Sequence, residues 1–180
     1  MKAARGRRIL FGIESGVEDS MALVKKNYKR EDVRRGVAAA RAAGLEITGF
    51  FMIGLPGETA EKTRDAIEFA RSLDIDFAKF AILVPFPGTQ LYDSLVREGR
   101  IRKSDWMRFA TFSADPESLP FIPEGLTGRE LQRLQRRATF RFYMRPAMIW
   151  RHLFVTRSIG LRHLYHGARI LLSQWFQRKV

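Results

Sequence analysis

No cysteine occurs anywhere in the 180 residues. That excludes a disulfide framework and every metal or iron–sulfur site built on thiolates of this chain, and it fits a reducing cytoplasmic setting. Long apolar runs are missing as well. None approaches the roughly 18–20 residues of a membrane-spanning helix, and the basic start Met1-Lys-Ala-Ala-Arg-Gly-Arg-Arg8 leads into only a short apolar stretch, so neither a spanning segment nor a signal peptide is expected. Acid is nearly absent from the last third. Residues 126–180 hold 12 of the 32 Lys and Arg but one acidic residue, Glu130, against 20 basic and 18 acidic residues before them. The net charge of +13 is therefore a property of the tail, which is suited to an anionic surface.

What is present has the periodicity of an α/β chain. Ile9, Leu10, Phe11 and Ile13 form a nearly continuous apolar run, the pattern of a buried parallel strand over 8–15. Met21, Leu23 and Val24, then Val33, Val37, Ala38 and Ala40, recur at helical spacing, and Gly44 is placed to end that helix. A second strand is expected over 45–53, an amphipathic helix over 59–73, a third strand over 76–84 and a short helix over 90–98 closed by Gly99. Strand alternating with helix three times implies a parallel sheet with right-handed crossovers and helices packed outside it.

Each strand runs into a loop suited to a ligand. The first ends in Glu14-Ser15-Gly16, the second in Gly54-Leu55-Pro56-Gly57-Glu58-Thr59, and the third in Pro85-Phe86-Pro87-Gly88-Thr89. Glycine lets backbone approach a ligand closely, and a helix N-terminus behind the loop offers free N–H groups. A Gly-Leu-Pro-Gly turn also serves simply as a turn, and Glu14 as a buried acid satisfied by nearby backbone.

In this order and spacing the three strand–loop units resemble the C-terminal half of a radical S-adenosylmethionine domain, most closely the cobalamin-binding branch of anaerobic cyclases and methylases. The resemblance covers residues 8–100 and, more loosely, 101–145 through Trp106, Phe109 and the run ending at Pro146. It implies half of a TIM-type (β/α) barrel, with chemistry at the C-terminal ends of the strands. In that family an iron–sulfur cluster on three cysteines passes an electron to the sulfonium of S-adenosylmethionine, and the adenosyl radical abstracts hydrogen from the substrate. By resemblance, Glu14 and Ser15 contact the ribose and methionine parts of S-adenosylmethionine, and Lys26 pairs with its carboxylate, Lys25 being an equally charged neighbour. Gly54, Leu55, Pro56, Gly57 and Glu58 match the loop that reaches adenine or ribose, and Pro85 and Pro87 the loop flanking the adenine. The four-iron four-sulfur cluster and cobalamin would come from another segment or from a partner chain carrying the cluster-binding half. No catalytic residue and no metal ligand is assigned to this chain, which is expected to be inactive by itself.

The organisation expected is a half-barrel over 1–100, an irregular arm over 101–126 and a basic helical extension over 127–180. Helix is expected over 147–176, with Trp150, Leu153, Phe154, Leu164, Leu171 and Trp175 on one side and Arg151, Arg157, Arg162 and Arg169 off it. Three readings of the tail stay open. It packs on the barrel with its arginines in water, lies on an anionic membrane, or meets nucleic acid, for which no reading motif is present. His163 and His166 lie three apart on the same stretch without a third ligand, so no metal site is expected. A half-barrel also leaves its first strand with an unpaired edge, so self-association is expected unless the arm or tail covers it. A chain that does no chemistry and only docks on membrane or a partner is the rival to the enzyme reading.

Overall fold

The computed structural model describes residues 6–17, 19–20, 26, 28–101, 116 and 119–155. The expected helix around Met21–Val24, the arm's Trp106 and Phe109, and the tail beyond residue 155 lie outside them. The chain divides into two compact units, residues 1–142 and 143–180.

The first unit is an α/β layer. Strand β1 (Arg8–Glu14) is followed by helix α1 (Arg30–Ala42), β2 (Glu46–Ile53), α2 (Ala60–Ser72), β3 (Phe77–Ile82), α3 (Gln90–Arg97) and α4 (Gly128–Tyr143). The strands form one sheet in the order β1-β2-β3, both pairs parallel, Ile9 opposite Ile47 and Phe51 opposite Phe80. Sequential order with crossovers of one hand puts the connecting helices on one face of the sheet. Burial follows: Ile47, Phe51 and Ile53 on β2 are buried with Val37 and Ala40 of α1 and Ala66, Ile67, Phe69 and Ala70 of α2. The alternate residues Thr48, Phe50 and Met52 are only half-buried and Leu10 is 58% exposed. Among the described residues the second face of the sheet is only partly covered, Met52 packing against the smaller core around Leu55.

Local chemistry sets the helix ends. The Thr59 side chain accepts from the Lys62 amide at 3.2 Å and that of Thr89 from the Tyr92 amide at 3.2 Å, each satisfying a first-turn donor. Before α4, the Glu130 carboxylate accepts from the Thr127 amide at 2.8 Å while Thr127 Oγ1 accepts from the Glu130 amide at 3.2 Å, a reciprocal capping box. At the opposite end of the strands, the buried Asp76 carboxylate accepts from the Ile47 amide at 2.7 Å and from Arg41 at 3.0 Å, pinning β3 to β2 and α1.

Helix α4 belongs to this layer. Its Leu131 is fully buried against Gly54, Gln135 Nε2 donates to the Phe80 carbonyl at 2.8 Å, Phe142 meets the Phe80 ring edge-on at 6.2 Å, and Arg141 pairs with Glu68 at 3.0 Å. It therefore lies beside α2 and covers β3. A smaller core of Leu55, Leu83, Tyr92, Leu95, Ile101 and Phe121 sits beneath the loops that leave β2 and β3. In the second unit, Pro146 occupies the first turn of helix α5 (Pro146–Trp150), which continues into a π-helical turn, Arg151–Val155. Proline suits that position because a first-turn N–H has no intrahelical partner. No helix among the described residues is long and apolar enough to cross a membrane.

Candidate functional site

Because the strands are parallel, the three ligand-type loops leave one edge of the sheet together. Glu14 is the non-glycine residue with positive φ among those described, at 63°, and the β1–β2 register slips between Gly12 and Glu14. A left-handed glutamate costs about 1–2 kcal/mol, so the surroundings must hold it there. They do so through Tyr28, whose hydroxyl lies 2.8 Å from the Gly12 carbonyl and 3.1 Å from that of Ile13. The Glu14 carboxylate folds back over Gly12, where a Cβ would sit 2.9 Å from its Oε1, and pairs with Lys26 at 3.7 Å. Burial, then the Glu14 charge, push the Tyr28 phenol above its ordinary value.

Ser15 is fully buried, and its hydroxyl accepts from the Val17 amide at 3.1 Å, closing the turn. Gly16 lies against Phe69, and Arg30 ties the turn to the helices by donating to the Gly16 carbonyl and pairing with Asp65. The first loop is thus held rigidly, and Glu14 with Lys26 forms its polar face.

The second loop is braced from within. Glu58 is fully buried; Oε2 accepts from the Gly54 and Leu55 amides at 2.6 and 2.7 Å, and Oε1 from the Thr63 hydroxyl at 3.0 Å. Burial pushes this carboxyl above the usual range, against the lowering effect of those hydrogen bonds. The Gly54 and Leu55 amides are therefore engaged inside the loop, and the Leu55 side chain belongs to the core under it. Gly54, at φ 86°, carries Leu131, and an added Cβ would meet that side chain at 3.2 Å. Pro56 is half-buried, while Gly57 is exposed with nothing within 4 Å of an added Cβ. In the third loop Pro85 is buried, Pro87 and Gly88 are exposed, and Phe86 is 50% exposed. The surfaces left for a ligand are the Glu14–Lys26 pair, the open side of Gly57, and the Phe86-Pro87-Gly88 rim.

Residues 1–70 match the family model of the radical SAM superfamily, a span that takes in β1, α1, β2 and most of α2. This chain carries part of a radical SAM superfamily domain. It is similar to an uncharacterized methyltransferase of Pyrococcus horikoshii, with 30% identity over 175 residues covering 93% of this chain and 37% of the relative. It is also similar to the anaerobic magnesium-protoporphyrin IX monomethyl ester cyclase of Rubrivivax gelatinosus, at 23% identity covering 95% and 29%. With the bacteriochlorophyllide d C-8(2)-methyltransferase of Chlorobaculum tepidum it shares 28% identity, covering 56% and 23%. A solved structure of Elp3 from Methanocaldococcus infernus aligns with TM-score 0.47 and 16% identity over 73% of this chain and 36% of that one. The chain spans little more than a third, or less, of each of these relatives.

The radical SAM superfamily implies S-adenosylmethionine and a four-iron four-sulfur cluster. Cluster ligation of that kind needs thiolates, the chain contains none, and no group of three potential metal ligands exists among the described residues. The residues present do not fit the cluster. They fit S-adenosylmethionine in part: Glu14 offers acceptors for ribose hydroxyls or an ammonium, Lys26 a partner for a carboxylate, and Phe86 an apolar face for a ring. Sequence reasoning missed Gly12, Tyr28 and Arg30. An isolated glycine inside a strand pattern is a signal for a bulge or close approach, and it could have pointed to Gly12. Tyr28 lies in a polar stretch without periodicity and carried no signal.

Proposed function

We propose that this chain supplies the C-terminal strand ends of a radical SAM protein's S-adenosylmethionine pocket, together with a segment or partner chain that holds the cluster thiolates. Glu14 carries the reading: a strained residue at a strand end, over-determined by Tyr28, Gly12 and Lys26, is the kind of backbone feature that persists where function requires it. Its carboxylate and the Lys26 ammonium are the polar ends of the ligand surface, and Phe86 with Pro87 its apolar flank. Gly54, Leu55 and Glu58 shape the loop from inside, and Ser15 fixes the turn that presents Glu14. The bound sulfonium supplies the reactive adenosyl group, and these residues orient it. Methylation or cyclisation is the reaction class suggested by the relatives' names, with cobalamin, where used, arriving with the additional segment.

The edge of the sheet at β1 supports a joining surface for that segment. β1 is an edge strand, and a cleft of about 200 Å3 beside it is lined by Phe11, Ile13, Tyr28, Val33 and Gly36. A parallel strand added along β1 would extend the sheet. Calorimetry on the full chain, alone and mixed with a cysteine-bearing radical SAM segment, tests the reading. Weak S-adenosylmethionine binding should strengthen at least about tenfold with the segment present and disappear with Glu14→Ala. Binding indifferent to Glu14→Ala, or absent in both samples, overturns it.

A further inference from the structure

The second unit carries a surface that the pocket does not use. Among its described residues Met144 is 52% exposed, Ile149 42%, Trp150 62% and Phe154 57%. Met148 and His152 are buried, so apolar side chains point both inward and outward from this short helical stretch. Trp150 and Phe154 are one turn apart, and their rings lie 4.2 Å apart with an interplanar angle of 37°. They form a single exposed aromatic face, with Ile149 adjoining in sequence. A chain gains nothing in water from holding an indole and a phenyl ring outward on one face.

The sequence that carries that face has charge of one sign. Residues 143–180 contain seven Lys and Arg and no Asp or Glu. Between Met144 and Phe154 the only polar side chains are Arg145, Arg151 and the buried His152; there is no Asn, Gln, Ser or Thr. Amide and hydroxyl side chains are what reads base edges alongside arginine, so this stretch lacks the equipment for sequence-specific nucleic-acid readout. Tryptophan, phenylalanine and aliphatic residues surrounded by arginine are the composition that settles at the boundary between headgroups and acyl chains, with arginine held by anionic headgroups. The absence of a spanning helix among the described residues makes this contact with a surface and not a crossing.

We infer that the Ile149, Trp150 and Phe154 face docks on an anionic phospholipid surface. This goes beyond the pocket reading and does not depend on it, because the contact needs neither S-adenosylmethionine nor a cluster. The rings insert at the headgroup boundary, and the acid-free sequence around them supplies the attraction that brings the unit there.

The experiment is sedimentation of the full chain with vesicles of phosphatidylcholine alone and of phosphatidylcholine mixed with phosphatidylglycerol. The chain should sediment with the anionic vesicles, be released as salt shortens the reach of the charges, and stay in solution with the neutral ones. Trp150→Ala with Phe154→Ala should lower partitioning at least about tenfold. Phe140→Ala, which removes a ring 66% exposed on α4, should leave it unchanged. Both variants remove exposed rings, and circular dichroism should show the wild-type fold. The inference is overturned if the chain ignores anionic vesicles, if the double variant binds as well as wild type, or if Phe140→Ala costs as much. It is also overturned if light scattering without lipid shows copies held together through Trp150 and Phe154, since the face would then be an interface between copies.

Discussion

Glu58 and Glu14 are two carboxylates on neighbouring loops with opposite arrangements. Glu58 turns inward, and its three donors hold Gly54, Leu55 and Thr63 in one loop conformation. Alanine there orphans two buried amides, at about 1–3 kcal/mol each, so Glu58→Ala should melt well below wild type. Glutamine keeps an acceptor for the amides and can donate to Thr63 Oγ1, whose own proton then turns from residue 58 to the Thr59 carbonyl, 3.0 Å away. Burial raises the folded pKa of Glu58, so its contribution to stability is fully present below the unfolded value of about 4.3 and is lost as pH rises through the folded one. Thermal melts across that window should show wild type losing stability with rising pH, while Glu58→Gln lacks that loss. Glu14 instead spends backbone energy to present its carboxylate. Glu14→Gly should relieve the left-handed strain and raise stability by about 1 kcal/mol in denaturant titration, while removing the acceptor offered to the ligand. A fall in stability with Glu14→Gly would mean that its ion pair with Lys26 outweighs the strain.

Among the elements, α4 contributes what the strand–helix alternation does not announce. It buries Leu131 on Gly54, completes the cover of β3 and donates from Gln135 to a carbonyl of that edge strand, the kind of capping that keeps an edge from recruiting another chain. Leu131→Ala should cost about 2–5 kcal/mol by leaving a cavity under the second loop. Gly54→Ala should also destabilise, since its positive φ and the Leu131 contact both oppose a Cβ. A chemical-denaturation midpoint unchanged in either variant would place α4 outside the folding unit. The contrast with β1 is clear: its edge is met at the upper end by Tyr28 through the Gly12 and Ile13 carbonyls, and beside it lies the apolar cleft.

For the whole molecule, the decisive quantity is the ligand set. A chain with no thiolate should show no iron–sulfur absorption after anaerobic reconstitution with iron and sulfide, and should gain it only when a cysteine-bearing segment is added. A stable cluster on this chain alone would overturn the division of labour proposed above. The two compact units, residues 1–142 and 143–180, make separable predictions: the Trp150 and Phe154 variants should leave S-adenosylmethionine binding untouched, and Glu14 variants should leave lipid partitioning untouched.

The order and type of the six elements from β1 to α3 were legible in the chain, because apolar period and terminal glycines are local signals. The strands expected over 8–15, 45–53 and 76–84 are observed at Arg8–Glu14, Glu46–Ile53 and Phe77–Ile82, parallel and in sequence order. The three loops at one edge follow from that order alone. What only tertiary structure decided is which way each polar group in those loops faces. The inward turn of Glu58, the bracing of Glu14 by Tyr28, the anchoring of Gly16 by Arg30 and the seating of Gly54 on Leu131 all depend on residues from other elements. No local period encodes them; they are settled when buried donors, acceptors and side-chain volumes must be satisfied together.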